Sequence, residues 1–532
     1  MQAPWSDCLG FQPCPATLKT RVPRLIDLVA SYVSERASLI ESSAATILPN
    51  GVYPRLLSFA LKNKCYESAK AIVSNYPDET MALSEMGFSS AAECTDEFMQ
   101  RMTTTVVRAF IASLEENCPL RLRTVDMRGY PLGGPGLSYL AVHSLLSYKE
   151  AERRKLLSTV QTALRSGSAA RYLDSDLMSR LGLLDPDTLP DRPFHFIIDG
   201  VIDDTDDDLF QNVCMALKTS HLLTSAGGLR VTIAELQLSG FHAEKLAVML
   251  ELLNQSRTVG APSVTSTAAA QSQQLTGLAL HFCDVGDSLD LRRFPNLTKL
   301  EVLGEHAANF CDLLCSTLPA LTQLDRLSLN AVNLGGRVGE LIGCCPRPLE
   351  MLTLNDCQLR PADVTALSDS DRAGQLRWLE LRRNRLDAAF TQLGRLLTTT
   401  AASLQIVVLR ETLLGDEEFP HLGPHLLRCA DLRRVDLTRN RLNDPLAAMA
   451  LLEVLAGHPT LTEVLLDLPH NCFSSTDAEG VIRLLADEEL PRGLDNFQKS
   501  VDATLASRKG DRSVPVIAVV RPAFIDYTPV VQ

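Results

Sequence analysis

The 532-residue chain lacks most of the features that mark an enzyme, a membrane protein or a nucleic-acid binder. No Gly-x-x-x-x-Gly-Lys loop, His-Glu-x-x-His pair or paired Cys-x-x-Cys motif occurs, which removes the strong phosphate-loop and zinc signatures. No run of about 18 apolar residues is present, so no membrane-spanning helix is expected. The first residues, MQAPWSDCLGFQPCPATLK, lack the apolar stretch and small-residue cleavage site of a secretory leader. Positive charge is also scarce. Against 64 Asp and Glu stand 51 Lys and Arg, a net charge of −13, which disfavours sequence-neutral attraction to nucleic acid or anionic membrane. These absences make the cytoplasm, or the nucleus, the expected location. The 14 cysteines are scattered, and Cys283 and Cys357 fall at apolar positions, so reduced and buried thiols are expected.

What is present is a leucine pattern. Segments of the form Leu-x-x-Leu-x-Leu-x-x-(Asn/Cys/other)-x-Leu begin at Leu324 (LDRLSLNAVNL), Leu349 (LEMLTLNDCQL), Leu376 (LRWLELRRNRL), Leu404 (LQIVVLRETLL) and Leu432 (LRRVDLTRNRL), with a weaker copy at Leu461. The starts are separated by 25, 27, 28, 28 and 29 residues, the period of leucine-rich repeats. One such unit cannot bury its apolar face alone. Stacking is therefore required, and the fold class expected is an α/β leucine-rich repeat solenoid, a horseshoe whose concave sheet is a binding surface.

The flanks divide by pattern. Residues 1–22, with Pro4, Pro13 and Pro15, read as a flexible lead. From 23 to 100 a helical module is expected: a stripe of Leu25, Leu28, Val29, Tyr32 and Val33 after Pro23, a second stretch at Leu39–Leu48, a third from Val52 and a fourth over Cys65–Tyr76. Residues 101–294 read as irregular repeats. Leu122–Leu132 has repeat spacing, while His195–Asp199, Leu229–Ile233 and Leu275–Cys283 read as strands and Leu209–Leu217 and Ala243–Leu253 as helices. The Ser, Thr, Ala and Gln stretch 255–274 is expected to be a disordered insertion. Regular repeats fill 295–470. The tail 471–532, with a helical pattern over Gly493–Ala506 and a strand at Val514–Val520, is expected to cap the array as a C-terminal cap.

Several polar groupings suggest chemistry without supplying it. Cys311, Cys315, Cys344 and Cys345 lie among apolar residues and read as core. His421 and His425 read as loop histidines, GYPLGGPG at Gly129 as a turn, and Asp203–Asp208 as a solvated loop without the glycine and terminal glutamate of a calcium site. No metal, cofactor or catalytic residue is assigned, and an enzyme is not expected.

Strand parity separates inward leucines from outward residues. The outward positions are Arg326, Ser328 and Asn330; Met351, Thr353 and Asn355; Trp378, Glu380 and Arg382; Ile406, Val408 and Arg410; and Arg434, Asp436 and Thr438. All are expected to be exposed. Trp378, one of two tryptophans, stands there with Met351, Ile406 and three arginines, a composition typical of interface anchors. The expected client-binding residues are therefore Met351, Trp378, Glu380, Arg382, Ile406, Arg410 and Arg434.

The run PRLIDLVASYV, ILPNGVYPRLLSFAL and AKAIVSNYP, followed by LRTVDMRG, LEMLTLNDCQL, HNCF and FQKSVDATL, resembles the PRAME family along nearly the whole chain. That resemblance implies a substrate receptor for cullin-RING ubiquitin ligases. It implies an elongin-binding stripe at Leu25, Leu28, Val29 and Val33, placed against elongin B and C, with Val29 where the motif prefers Cys. It also implies a cullin-scaffold contact at Leu48, Pro49 and Val52. Physically, a groove-binding helix need only offer one apolar stripe, and the same stripe would serve to cap the first repeat. The alternative function is an interaction protein that sequesters or inhibits a signalling complex, such as an inflammatory kinase complex, without ubiquitin chemistry.

Overall fold

The computed structural model describes residues 49–86, 94–116, 120–140 (without 135 and 138), 194–204, 229–255, 275–285, 290–304 and 309–468; beyond these it describes only the strand segments 475–476, 482–483 and 517–522 and isolated residues. The chain forms two compact units, Met1–Ala279 and Leu280–Gln532.

The first unit opens with two short helices, α1 (Tyr53–Lys62) and α2 (Tyr66–Ser74), close to where the periodicity places them. Pro54 sits in the first turn of α1, where its missing N–H costs nothing. Leu56, Leu57, Ala60 and Leu61 on one helix face the core with Ala69 and Ile72 on the other, all fully buried. One element of this region, a strand, differs from the all-helical expectation, and a long helix crosses its expected end at residue 100. A strand, β1 (Thr80–Ala82), follows, and then the 20-residue α3 (Asp96–Glu115), capped by Thr95, whose Oγ1 accepts from the Phe98 N–H at 3.2 Å. Three further strands, β2 (Thr124–Asp126), β3 (Phe194–Asp203) and β4 (Leu229–Ser239), pair in parallel in the order β1-β2-β3-β4. The last two are about twice the expected length. They break register at Ala234, where β4 carries one extra residue opposite Ile198 and Asp199. Buried Asp199 spans the break: its carboxylate accepts from the Glu235 N–H at 3.2 Å and from the Gly129 N–H at 2.6 Å. Gly129 itself turns with φ of 84°, as expected for a turn. Helix α4 (Ala243–Gln255) ends where the Ser/Thr-rich stretch begins, and Asp204 pairs with Lys245 on it at 2.6 Å. The strand β5 (Gly277–His281) carries the boundary between the units.

The second unit is a leucine-rich repeat solenoid. Strands β6 (Lys299–Leu303), β7 (Arg326–Asn330), β8 (Met351–Asn355), β9 (Trp378–Glu380), β10 (Ile406–Val408), β11 (Arg434–Asp436) and β12 (Glu463–Leu468) pair in parallel with each neighbour in sequence. Between them run α5 (Phe310–Thr317), α6 (Val338–Gly343), α7 (Pro361–Ser368), α8 (Phe390–Thr399), α9 (Glu418–Leu427) and α10 (Pro445–Leu455). The leucine positions explain the stack. Leu376, Leu379, Leu381 and Leu386 are fully buried in one repeat, as are Leu404, Val407, Leu409 and Leu414 in the next. Each such side chain contributes about 1.5–3 kcal/mol by burial. On the helical side the packing is equally close. His425 of α9 lies against Gly394 of α8, where an added Cβ would meet its ring at 2.7 Å. His421 and His425 thus sit on a helix, correcting the loop assignment. Cys283, Cys311, Cys345, Cys357 and Cys429 are buried thiols outside any disulfide, in keeping with the expected reduced cysteines, and burial pushes the Cys357 thiol up to about 12.

Two recurring devices hold the repeats in register. In the first, buried Asn384 donates to the Leu354 and Leu381 carbonyls at 2.6 and 3.0 Å and accepts from the Cys357 and Leu359 N–H groups at 3.1 and 3.2 Å. Asn440 repeats this with Leu409, Leu437, Thr412 and Leu414. In the second, the residue five after the first of each strand takes a positive φ: Phe282, Gly304, Ala331, Asp356, Arg383, Glu411 and Arg439. The non-glycine members lie between 52° and 57°. From Phe282 to Glu411 each donates its N–H to a carbonyl of the following repeat, at 2.6 to 3.1 Å. That left-handed conformation costs a non-glycine residue roughly 1–2 kcal/mol.

After β12 the chain forms a small antiparallel pair, β13 (Ser475–Thr476) and β14 (Ile482–Arg483), and then β15 (Ile517–Pro522), which pairs in parallel with β12 from Glu463↔Ile517 onward. The strand expected near Val514–Val520 is therefore present and continues the sheet. The expected helices at Leu209–Leu217 and Gly493–Ala506, the insertion 255–274 after Gln255, the segment 25–33 apart from exposed Tyr32, and the segment 39–48 lie outside the described residues.

Candidate functional site

Register brings one outward row together across the second unit: Arg326, Met351, Trp378, Ile406, Arg434 and Glu463 are paired in succession from β7 to β12. Adjacent members are about 4.8 Å apart. Trp378, Ile406 and Arg434 are half-buried, and Arg434 pairs with Glu463 at 3.3 Å. Three residues named from sequence thus form one continuous strip. Met351 adjoins them but is buried, 8% exposed.

The next outward row corrects the parity expectation. Ser328, Thr353, Glu380, Val408 and Asp436 all point away from the leucine core, yet all are buried, with none above 7% exposure. At Glu380 the reason is visible: longer neighbours lean onto it. Its carboxylate accepts from Trp378 Nε1 at 3.3 Å and Asn355 Nδ2 at 2.7 Å, and Arg382 Nε lies at 2.6 Å. Asn355 also accepts from the Arg382 N–H at 2.8 Å, tying β8 to the end of β9. Glu380 is therefore not a surface contact. It is the buried anion that accepts from an indole and pairs with a guanidinium, so that loss of one member would leave a charge stranded.

Beyond the strands, Arg382 and Arg410 stand in the turns that leave β9 and β10, half-buried. Parity did not reveal their neighbours. The positive-φ residues Arg383 and Arg439 reach toward Glu411 at the equivalent position of the repeat between them, at 2.8 and 3.2 Å, and Arg410 joins at 3.3 Å. Burial raises the Glu411 carboxyl, but the three guanidiniums outweigh it and hold the group below the usual carboxylate range. Arg441 stands beside this cluster, 4.0 Å from Asp387, and Arg385 is exposed. Superimposing the repeat segments RRNR, RETL and TRNR is the sequence signal that would have found them.

Of the expected elongin and cullin contacts, Leu25, Leu28, Val29, Val33 and Leu48 lie outside the described residues. Pro49 is exposed, whereas Val52 is buried, its N–H bonded to the Pro49 carbonyl at 2.9 Å and its side chain packed into the first unit. Val52 is thus not offered to a partner in this conformation. Among the described residues no group of three or more His, Cys, Asp and Glu is placed to hold a metal ion, and no helix is long and apolar enough to cross a membrane.

Residues 288–503 match the family described as PRAME C-terminal domain. The chain is similar to leucine-rich repeat-containing protein 14 of Xenopus laevis, 30% identical over 286 residues, which spans 50% of this chain and about half, 52%, of that protein. The same protein of Rattus norvegicus is 25% identical over 81% of this chain and 84% of its own length. Human PRAME family member 8 is 24% identical over 86% and 88%. Among solved structures, the leucine-rich repeat protein LegL7 of Legionella pneumophila covers 55% of this chain and 83% of its own, at 18% identity and a TM-score of 0.34. A chain of the yeast Rad7 and Elc1 complex covers 87% and 98%, at 15% identity and a TM-score of 0.38.

Proposed function

We propose that this leucine-rich repeat chain, whose residues 288–503 match the PRAME C-terminal domain, is a recognition subunit that captures a client protein on the second unit and presents it to an elongin-linked cullin-RING ubiquitin ligase. The observation that carries the client half is the strip Trp378, Ile406 and Arg434, with Arg382 and Arg410 at its edge. Trp and Arg anchor protein interfaces disproportionately, because each offers a large contact area with a polar group that can be satisfied by a partner. Trp378 and Arg382 are held in place before binding by Glu380, so less side-chain freedom is lost on association. The role argued for the strip is binding.

The ligase half rests on the sequence: the apolar stripe Leu25, Leu28, Val29 and Val33 for elongin B and C, and Leu48 with exposed Pro49 for the cullin. The two halves lie on different parts of the chain and separate experimentally. Tagged wild type, Trp378→Ala and Leu25→Asp are to be purified from cells and their partners compared. Truncation of an interface tryptophan costs about 2 kcal/mol or more, roughly thirtyfold in affinity. Trp378→Ala is therefore expected to lose clients and keep elongins, and Leu25→Asp the reverse. An unchanged partner set in Trp378→Ala removes the strip as the receptor site; clients with no elongin in wild type would favour sequestration over ubiquitin chemistry.

A further inference from the structure

The turns leaving β8 to β11 carry a charge opposite to that of the whole molecule. Their four-residue segments, 355–358, 382–385, 410–413 and 438–441, hold six arginines (Arg382, Arg383, Arg385, Arg410, Arg439 and Arg441) and two acids (Asp356 and Glu411), a net of +4 in a chain of −13. The arginines are accessible: the side chains of Arg383, Arg439 and Arg441 are 60%, 59% and 59% exposed. The fold does not require arginine at two of these positions. Arg383 and Arg439 hold the left-handed conformation that glycine adopts freely, and the equivalent position after β6 is Gly304. Exposed ion pairs such as those to Glu411 return too little to explain the retention of strained side chains.

Building on the receptor reading above, we infer that these turns dock an acidic, extended segment of the client, with the Trp378 and Ile406 strip beside them taking its apolar residues. Arg383 and Arg439 occupy the same position two strands apart, a separation of roughly 10 Å. Three residues of an extended peptide cover the same distance. The segment therefore carries Asp or Glu at i and i+3, straddling Glu411, whose carboxylate fixes the three guanidiniums around it. Guanidinium forks suit carboxylates geometrically, and a positive patch in a negative field selects a short acidic stretch over a long polyanion, which the rest of the surface repels.

The test uses the full chain and a fluorescein-labelled peptide of Gly and Ser with glutamates at i and i+3, read by anisotropy. Wild type is expected to bind it, to weaken as salt rises from about 50 to 200 mM, and to ignore a peptide with glutamine in place of glutamate. Arg383→Gly with Arg439→Gly keeps the backbone conformation and so the fold, and is expected to lose about tenfold in affinity; Arg385→Ser with Arg441→Ser should lose a comparable amount. Equal binding by wild type and both double variants overturns the inference, as does no binding by wild type, or displacement of the peptide by an oligothymidylate of equal charge at lower concentration. Elongin co-purification is measured on the same proteins. If it persists while peptide binding fails, only the acidic-segment inference falls; if wild type lacks elongin yet binds the peptide, only the ligase half falls.

Discussion

The indole Nε1 of Trp378 donates to Oε2 of Glu380, two residues further along the same strand, at 3.3 Å. A residue that alternation makes a surface carboxylate is in this way sealed beneath its neighbours, and a tryptophan that alternation leaves loose is fixed. The pair makes the orientation of Trp378 in the outward strip a built-in feature of the fold.

Glu380→Gln keeps the shape but removes one acceptor and the counter-charge of Arg382. The expected cost is about 1–3 kcal/mol in urea unfolding. In a Trp5→Phe background Trp378 is the sole tryptophan, so its emission should shift to the red as the indole loses its anchor. An unmoved spectrum and midpoint would mean that Glu380 does not hold the strip.

Asn384→Ala leaves two carbonyls and two N–H groups of neighbouring turns without partners inside the protein. A loss of about 3 kcal/mol or more is expected; Asn440→Ala removes the equivalent four backbone bonds and one from Thr412 Oγ1, while the Leu409 carbonyl keeps its bond from Thr412 Oγ1, and a comparable loss is expected. Chemical denaturation measures both. A cost under about 1 kcal/mol in either would show that water or a shifted backbone replaces the bonds.

His195 on β3 is held near 4 by burial, with Arg230 acting in the same direction against the weaker pull of Asp126. An unfolded chain titrates this group near 6.5. The folded state is therefore favoured above about 6.5 and loses that advantage as pH falls toward about 4, because the unfolded chain takes up the proton first. The urea midpoint of wild type is expected to fall across this window more steeply than that of His195→Gln. Parallel curves for the two proteins would contradict the assignment.

How much of this was legible beforehand depends on which residues are asked. The 25- to 29-residue leucine spacing placed β7 to β11 at the right residues, because one unit after another repeats the same burial pattern. The first unit resisted because its strands carry no such rhythm: β3 and β4 run to 10 and 11 residues around a break at Ala234, and α3 follows no repeat period. In the strip, alternation put Trp378, Ile406 and Arg434 on one side but could not show that Glu380 is covered, since covering depends on the reach of Trp378, Asn355 and Arg382 across the sheet. The left-handed positions were hidden for a different reason. Glycine advertises a positive φ at Gly304, whereas Arg383, Glu411 and Arg439 take φ of 55° to 56° under residue types that seldom signal it.

The most direct measurement for the proposed role is binding of the purified full chain to purified elongin B and C, followed by gel filtration and calorimetry, with Leu25→Asp and Trp378→Ala alongside. The account predicts a stoichiometric complex for wild type and Trp378→Ala and none for Leu25→Asp. A folded wild-type chain that forms no complex with elongin B and C would contradict it.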